Sequence, residues 1–302
     1  MNRRRFITNT ALTFGTLAGG IGDDAARAAL PATTEPGRGA GAGELVDTHV
    51  YISRWPYRRV PGDDTPQLVK RLKEYWVTSA WVGSFDALLH RDIAAVNARL
   101  VAECAGQRDV HLIPFGAVNP TLPDWEEDLR RCHEVHRMPG IRLHPDFHAY
   151  TLKDPRFERL LDLATQRRLV VQIGLGMEDT RLQGPLGQVP PADPEPLVDL
   201  LPKYPAARVE LLNFWRSFRA NRVLQARLVQ LPQVAFDLAT VEVVAGLEEL
   251  LHTTPSLRLL FGSYAPFYNF GSSWRKLGES ILTPGQLAAI RHGHAMRLLS
   301  PA

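Results

Sequence analysis

Val46-Asp47-Thr48-His49-Val50-Tyr51 is the stretch on which the reading of the fold turns. It reads as a short strand buried on both faces, ending with a histidine and a tyrosine two positions apart. Side chains two apart on a strand share a face, so His49 and Tyr51 are expected side by side. A His-x-His at this place would supply half of a metal site. His-x-Tyr leaves either an enzyme with an altered site or a scaffold that has lost one.

Outward from this strand, short apolar runs alternate with longer amphipathic ones. The runs cover residues 46–52, 79–83, 110–116, 140–143, 169–173, 208–212, 234–238 and 257–261. Each is rich in Val, Ile, Leu or Phe and bounded by Gly, Pro or polar residues, as expected of strands covered on both sides. Between them lie helical patterns. Asp124-Trp125-Glu126-Glu127-Asp128-Leu129 follows Pro123 and places acids in a first turn, where they suit the helix dipole. Phe157, Leu160, Leu161 and Ala164 share one face, as do Leu197, Leu200 and Leu201, and residues 286–299 read as one closing helix. Eight strands alternating with helices predict a single-domain α/β fold, a (β/α)8 barrel of the TIM type. An open doubly wound sheet is the competitor, and the absence of a glycine fingerprint after the first strand argues against it.

The chain ahead of residue 45 is set aside from the fold. Arg3-Arg4-Arg5-Phe6-Ile7, the weakly apolar run 11–21 and the small residues Ala26-Arg27-Ala28 resemble a bacterial twin-arginine export signal. Residues 1–28 are thus expected to be an export signal, 29–44 a flexible Pro- and Gly-rich leader, and 45–302 the barrel domain. The expected location is the periplasm or another extracytoplasmic compartment. The run 11–21 is too short to span a membrane, and no transmembrane domain is expected.

The formal charge of +3 falls to +1 without residues 1–28, because Arg3, Arg4, Arg5 and Arg27 outnumber Asp23 and Asp24 by two. No basic stripe interleaved with aromatics appears, which excludes nucleic acid as an expected partner. Cys104 and Cys132 are the only cysteines. Both fall in helical patterns, and they are expected either as a disulfide, which an oxidising compartment permits, or as two buried thiols.

In such barrels the active site gathers at the C-terminal ends of the strands. His49, Tyr51, Arg142, His144, Gln172, Asn213, Asp237 and Tyr264 stand at or just past the apolar runs. His49, His144 and Asp237 are the candidate proton-transfer groups. Arg54, Tyr51, Arg142, Gln172, Asn213 and Tyr264 are the candidate substrate contacts, with Arg142 suited to clamp a carboxylate. The competing structural reading pairs Arg142 with Asp237 inside the barrel and ties His49 to backbone. The aromatic loops 53–59 and 264–270 flank one mouth and suggest a substrate with a flat or apolar face; Trp55 as an anchor for a surface loop is the alternative. His292 and His294 read as caps of the last helix.

Gly140-Ile141-Arg142-Leu143-His144-Pro145, Phe236-Asp237-Leu238, Leu260-Phe261-Gly262-Ser263-Tyr264-Ala265-Pro266-Phe267 and Arg291-His292-Gly293-His294-Ala295-Met296-Arg297-Leu298-Leu299, together with the opening strand, carry a family resemblance. The chain resembles the amidohydrolase superfamily, in particular the amidohydrolase-related branch with the aminocarboxymuconate-semialdehyde decarboxylase type. The resemblance implies one or two divalent metals such as zinc, held by a His-x-His on strand 1, histidines ending strands 5 and 6, and an aspartate after strand 8. At those positions this chain carries His49 with Tyr51, Gln172, Asn213 and Tyr264, so His49 is the one surviving candidate metal ligand. Catalytic zinc takes about three protein ligands plus water, and amide or neutral phenol oxygens serve it poorly. The change to Tyr264 also removes the carboxylate that would take a proton from metal-bound water.

The expected protein is therefore a hydrolase or lyase acting on a small carboxylate-bearing molecule with a degenerate metal site. The alternative is a non-catalytic barrel that binds a small ligand. A homo-oligomer is compatible with either.

Overall fold

The computed structural model describes residues 43–185, 187–242 and 246–300. The expected export signal, and the leader through residue 42, lie outside the described residues. Eight parallel strands pair in sequence order, β1 Val46–Ile52, β2 Ser79–Ser84, β3 His111–Ala117, β4 Gly140–Leu143, β5 Val170–Gly174, β6 Arg208–Leu212, β7 Val234–Asp237 and β8 Leu259–Leu260. The seam is nearly closed, because the Thr48 N–H donates to Phe261 O at 2.9 Å and the Tyr51 N–H to Ala265 O at 2.9 Å. Strand and helix alternate throughout, so the chain forms the expected (β/α)8 barrel. Among the described residues no helix is long and apolar enough to cross a membrane.

The outer helices are α1 Thr65–Glu74, α2 Ile93–Ala105, α3 Trp125–Glu134, α4 Pro155–Gln166, α5 Leu197–Leu200, α6 Trp215–Ala220, α7 Arg222–Gln230, α8 Leu247–Thr253 and α9 Phe270–Glu279. Several start where sequence chemistry dictates. Asp64, Asp92 and Asp154 each accept a backbone N–H from the first turn, and Glu126, Glu127 and Asp128 open α3. The continuous closing helix expected over 286–299 is instead divided into α10 Pro284–Ala288, a π turn Ala289–Gly293 and α11 His294–Leu299. The wide turn accompanies a bond from the Phe261 N–H to the Ile290 carbonyl at 3.0 Å, which fastens this segment to the end of β8. The expected helix caps also act elsewhere. His294 Nδ1 lies 2.7 Å from Leu259 O, and His292 pairs with Glu44. Cys104 and Cys132 are buried free thiols, so the disulfide alternative is not formed.

The barrel interior is stacked in three layers. At the N-terminal end Val46, Trp81, Phe115, Val170, Ala235 and Leu260 form an apolar floor. The middle layer is polar. Thr48, Arg142, Gln172 and Glu210 are all buried there and bond to one another or to the walls. Gly83 makes room for the guanidinium, since a Cβ at that position would stand 2.8 Å from Arg142 Nη1. The top layer is aromatic, with Tyr51, Trp55, Phe85, Met177 and Tyr264 in one cluster. Aromatic pairs add roughly 0.5–1.5 kcal/mol each beyond area burial, so this plug is a substantial part of the upper core.

Candidate active site

The register of β1 is irregular between Asp47 and Val50. Val50 and Ile52 pack in the outer core, while His49 and Tyr51 stay together, their rings 5.6 Å apart and edge-on. His144 follows β4 directly, Asn213 follows β6, Asp237 ends β7 and Tyr264 comes four residues after β8, so every one of them sits at the C-terminal end.

His49 and Asp237 are the core of the arrangement. His49 Nδ1 lies 2.7 Å from Asp237 Oδ2, both side chains fully buried. Gly262 brings them close, for a Cβ there would be 3.0 Å from the Cβ of each. The second carboxylate oxygen accepts the Asn213 N–H at 2.8 Å. A carboxylate acceptor places the imidazole proton on Nδ1 and leaves the Nε2 lone pair without a partner among the described residues. Burial, opposed in part by Asp237, holds the His49 pKa below its ordinary value, so the ring is neutral near neutral pH. The imidazole stacks on Tyr264 at 4.4 Å.

A second pair lies beside it. Tyr51 Oη is 3.0 Å from His144 Nε2, and burial pushes the phenol up to about 12. His144 is held well below the usual histidine range by burial, with His148 and Arg142 adding repulsion. Tyr264 stands at φ 57°, uncommon for a bulky residue, and is pinned by its N–H to His49 O at 2.8 Å and its hydroxyl to Met177 O at 2.6 Å.

Arg142 and Gln172 lie one layer deeper than a substrate contact requires. Arg142 donates from Nε to Gln172 Oε1 at 2.8 Å, from Nη1 to Val50 O at 2.6 Å, and from Nη2 to Thr48 O and Trp81 O. The alternative buried Arg142–Asp237 pair is not formed either, since Asp237 faces His49. Gln172 Nε2 donates to Thr48 O and Glu210 Oε2. At the mouth end of β5 stands Gly174, whose absent Cβ would be 4.0 Å from His144. Arg54 is exposed on the loop beyond β1, away from the buried set.

Sequence reasoning passed over Glu210, Asp47 and Asp146. Burial pushes the Glu210 carboxyl up to about 8 and those of Asp47 and Asp146 up to about 7. A carboxylate between Val209 and Leu211 in a strand covered on both faces was the available signal for Glu210. The two aromatic loops were expected to flank a pocket; they meet instead, with Trp55 4.9 Å from Phe267 and edge-on to Phe85 and Phe147. Open volume lies to one side, in a cleft of about 670 Å³ over the ends of β5, β6 and β7. Asn213, Trp215 and Thr240 line it, and the Asn213 Oδ1, Trp215 Nε1 and Thr240 Oγ1 atoms find no partner among the described residues. Arg216 and Arg219 stand at its rim, paired with Asp179 at 2.8 Å and Glu242 at 3.6 Å. Met177 belongs to both this cleft and the aromatic plug.

These side chains do not fit the divalent metal that the family resemblance implies. His49 offers one nitrogen, Tyr51 and Tyr264 are phenols held protonated by burial, and Asn213 offers an amide. Among the described residues no three His, Cys, Asp or Glu side chains converge on one point.

The family described as amidohydrolase matches residues 50–300. No curated protein matches the chain in sequence. Similar solved structures include a dihydroxybenzoic acid decarboxylase from Polaromonas with bound manganese and 2-nitroresorcinol, at 13% identity and a TM-score of 0.64, covering 85% of this chain and 97% of that one. A 5-carboxyvanillate decarboxylase from Sphingomonas paucimobilis aligns at 11% identity and 0.62, covering 85% and 98%. A 2,6-dihydroxybenzoate decarboxylase from Rhizobium aligns at 13% and 0.60, also covering 85% and 98%. At these identities the likeness is one of fold.

Proposed function

The chain belongs to the amidohydrolase family, and on that premise we propose that it is a lyase or hydrolase acting on a small carboxylate-bearing molecule without a catalytic metal. The single observation that carries this reading is the buried His49–Asp237 pair, with an Nε2 that has no partner among the described residues. A neutral imidazole oriented by a carboxylate is a general base. Nε2 takes a proton from water or a substrate hydroxyl, Asp237 holds the imidazolium, and the same proton is returned to the atom freed when the bond breaks. A substrate carboxylate takes the place of Asp179 or Glu242 as the partner of Arg216 or Arg219, and Asn213 and Thr240 supply hydrogen bonds. Substrate reaches His49 past Met177, whose flexible thioether is the soft part of the wall. Hydroxybenzoates and 5-carboxyvanillate, named with the similar structures, are the first substrates to try.

The test is carbon dioxide release or hydrolysis across such a panel by the wild type and by His49→Ala. Turnover that His49→Ala abolishes supports the proposal, and turnover unaffected by it sinks it. A non-catalytic binding barrel is the second reading, favoured by the complete burial of His49, Tyr51 and Tyr264. Saturable binding of a carboxylate without turnover of it would favour that reading. With the twin-arginine-like segment ahead of the barrel, either activity is proposed to operate outside the cytoplasm.

A further inference from the structure

A second cleft, of about 450 Å³, opens at the opposite, N-terminal end of the barrel. It is framed by the residues that lead into β5, β6, β7 and β8 and by the closing helix. Its basic lining is Arg168, Arg208, Arg258, His294 and Arg297, and no aspartate or glutamate lines it. The contrast with the cleft above is chemical. There Arg216 and Arg219 each face a carboxylate. Among the described residues none of the four arginines below is ion-paired to one.

Two of these arginines are fixed in place by neutral groups. Arg208 Nη1 donates to the carbonyls of Leu298 and Leu299, and Arg258 donates from Nε to Val234 O at 2.7 Å and from Nη2 to Leu231 O. Carbonyls orient a guanidinium and leave its charge uncompensated. Burial lowers the pKa values of Arg208 and Arg258, and Arg168 adds repulsion at Arg208. His294 is lowered by burial, with repulsion from Arg297 and Arg258. Positive charge held together at this cost marks a place made for negative charge.

The rest of the lining narrows the ligand. Pro205, Pro232, Val234 and Leu298 give the cleft an apolar wall. Gln233 is buried, spends its Nε2 on Leu201 O at 3.1 Å, and keeps an Oε1 with no partner among the described residues. An unpaired buried acceptor calls for a donor. We infer that this lower cleft binds a small organic polyanion, a carboxylate or phosphate carried on an apolar body with a hydrogen-bond donor. The site is independent of the reading of the upper end, because its ligand is held by residues that do not approach His49.

Titration calorimetry of the full chain with 4-hydroxyphenyl phosphate and with 4-hydroxyphthalate tests the inference, the phenol supplying the donor and the two probes separating phosphate from dicarboxylate. Arg168 and Arg297 are exposed, so replacing them spares the core. Loss of one charge-assisted contact weakens binding about tenfold, so Arg168→Ala and Arg297→Ala are each expected to raise Kd by about that factor. Arg297→Lys should recover part of the loss, added salt should weaken binding, and Arg275→Ala, at an exposed arginine that lines neither cleft, should leave it unchanged. Equal binding by the Arg168→Ala/Arg297→Ala double variant overturns the inference. So does no binding of either probe at millimolar concentration, or loss of binding in Arg275→Ala. Inorganic phosphate binding as tightly as 4-hydroxyphenyl phosphate would overturn the apolar part of the assignment.

Discussion

His49 Nδ1 and Asp237 Oδ2 stand 2.7 Å apart inside the barrel, joining the first strand to the seventh with both groups out of contact with solvent. The relationship fixes one tautomer of the imidazole and leaves its Nε2 lone pair with no hydrogen-bond donor among the described residues. Asp237→Asn keeps the shape and removes the charge that stabilises an imidazolium. It is expected to lower kcat by about 10²-fold or more, the scale of general acid–base catalysis. Steady-state kinetics beside a thermal melt checks this, since a structural role alone would move Tm together with activity.

Arg142 is a strut in the proposed account, tying β4 to the carbonyls of Thr48, Val50 and Trp81 and to Gln172. Arg142→Ala removes a donor from Val50 O, Trp81 O and Gln172 Oε1, while Thr48 O keeps Gln172 Nε2, at about 1–3 kcal/mol for each acceptor left unsatisfied. The expected result is a loss of at least about 3 kcal/mol in urea unfolding, with Arg142→Lys intermediate. A variant as stable as the wild type, with a raised KM for carboxylates, would instead restore Arg142 as the clamp.

Glu210 makes stability depend on pH. Burial raises its carboxyl from the usual 4.5 to about 8, so the folded state keeps a proton that the unfolded chain releases. The neutral acid has a place for it: Glu210 can donate to Thr48 Oγ1, whose own hydroxyl reaches Phe261 O. This contribution is complete below pH 4.5 and is lost as pH rises through about 8. Asp47, raised from 3.8 to about 7, acts in the same direction. Denaturant midpoints measured across this range should fall with rising pH. In Glu210→Gln the fall should be shallower, leaving the variant more stable than the wild type on the alkaline side.

The arginines of the upper cleft predict a split between binding and chemistry. Arg216→Ala and Arg219→Ala remove attraction for a carboxylate without touching His49. Each is expected to raise KM about three- to tenfold with kcat little changed, as for an exposed charge-assisted contact. Initial-rate curves for a substrate identified in the panel decide this; a fall in kcat alone would contradict it.

The fold was open to reading because a parallel barrel leaves strong local marks. Strands covered on both faces become short apolar runs, and β4 and β6 occupy the expected residues. β8, expected over 257–261, shrinks to Leu259–Leu260 because the chain turns from β8 pairing to bonds with β1 and the π turn. The sharing of a face by His49 and Tyr51 followed from strand periodicity. The partners of a buried side chain carry no such local mark. Arg142 at a strand end suggests a clamp equally well whether its nitrogens meet a substrate or three carbonyls. Asn213 and Arg216 follow β6 and Thr240 follows β7, and only folding brings the two segments around one cleft.

The central claim is that His49, oriented by Asp237, does the chemistry without a divalent metal. The most direct measurement is turnover of the carboxylate panel by chelator-treated protein, wild type against His49→Ala, with metal content determined on the same samples. Undiminished turnover in the metal-free wild type, lost in His49→Ala, is the predicted result. Turnover that vanishes with the metal and returns only when a divalent ion is restored would contradict it.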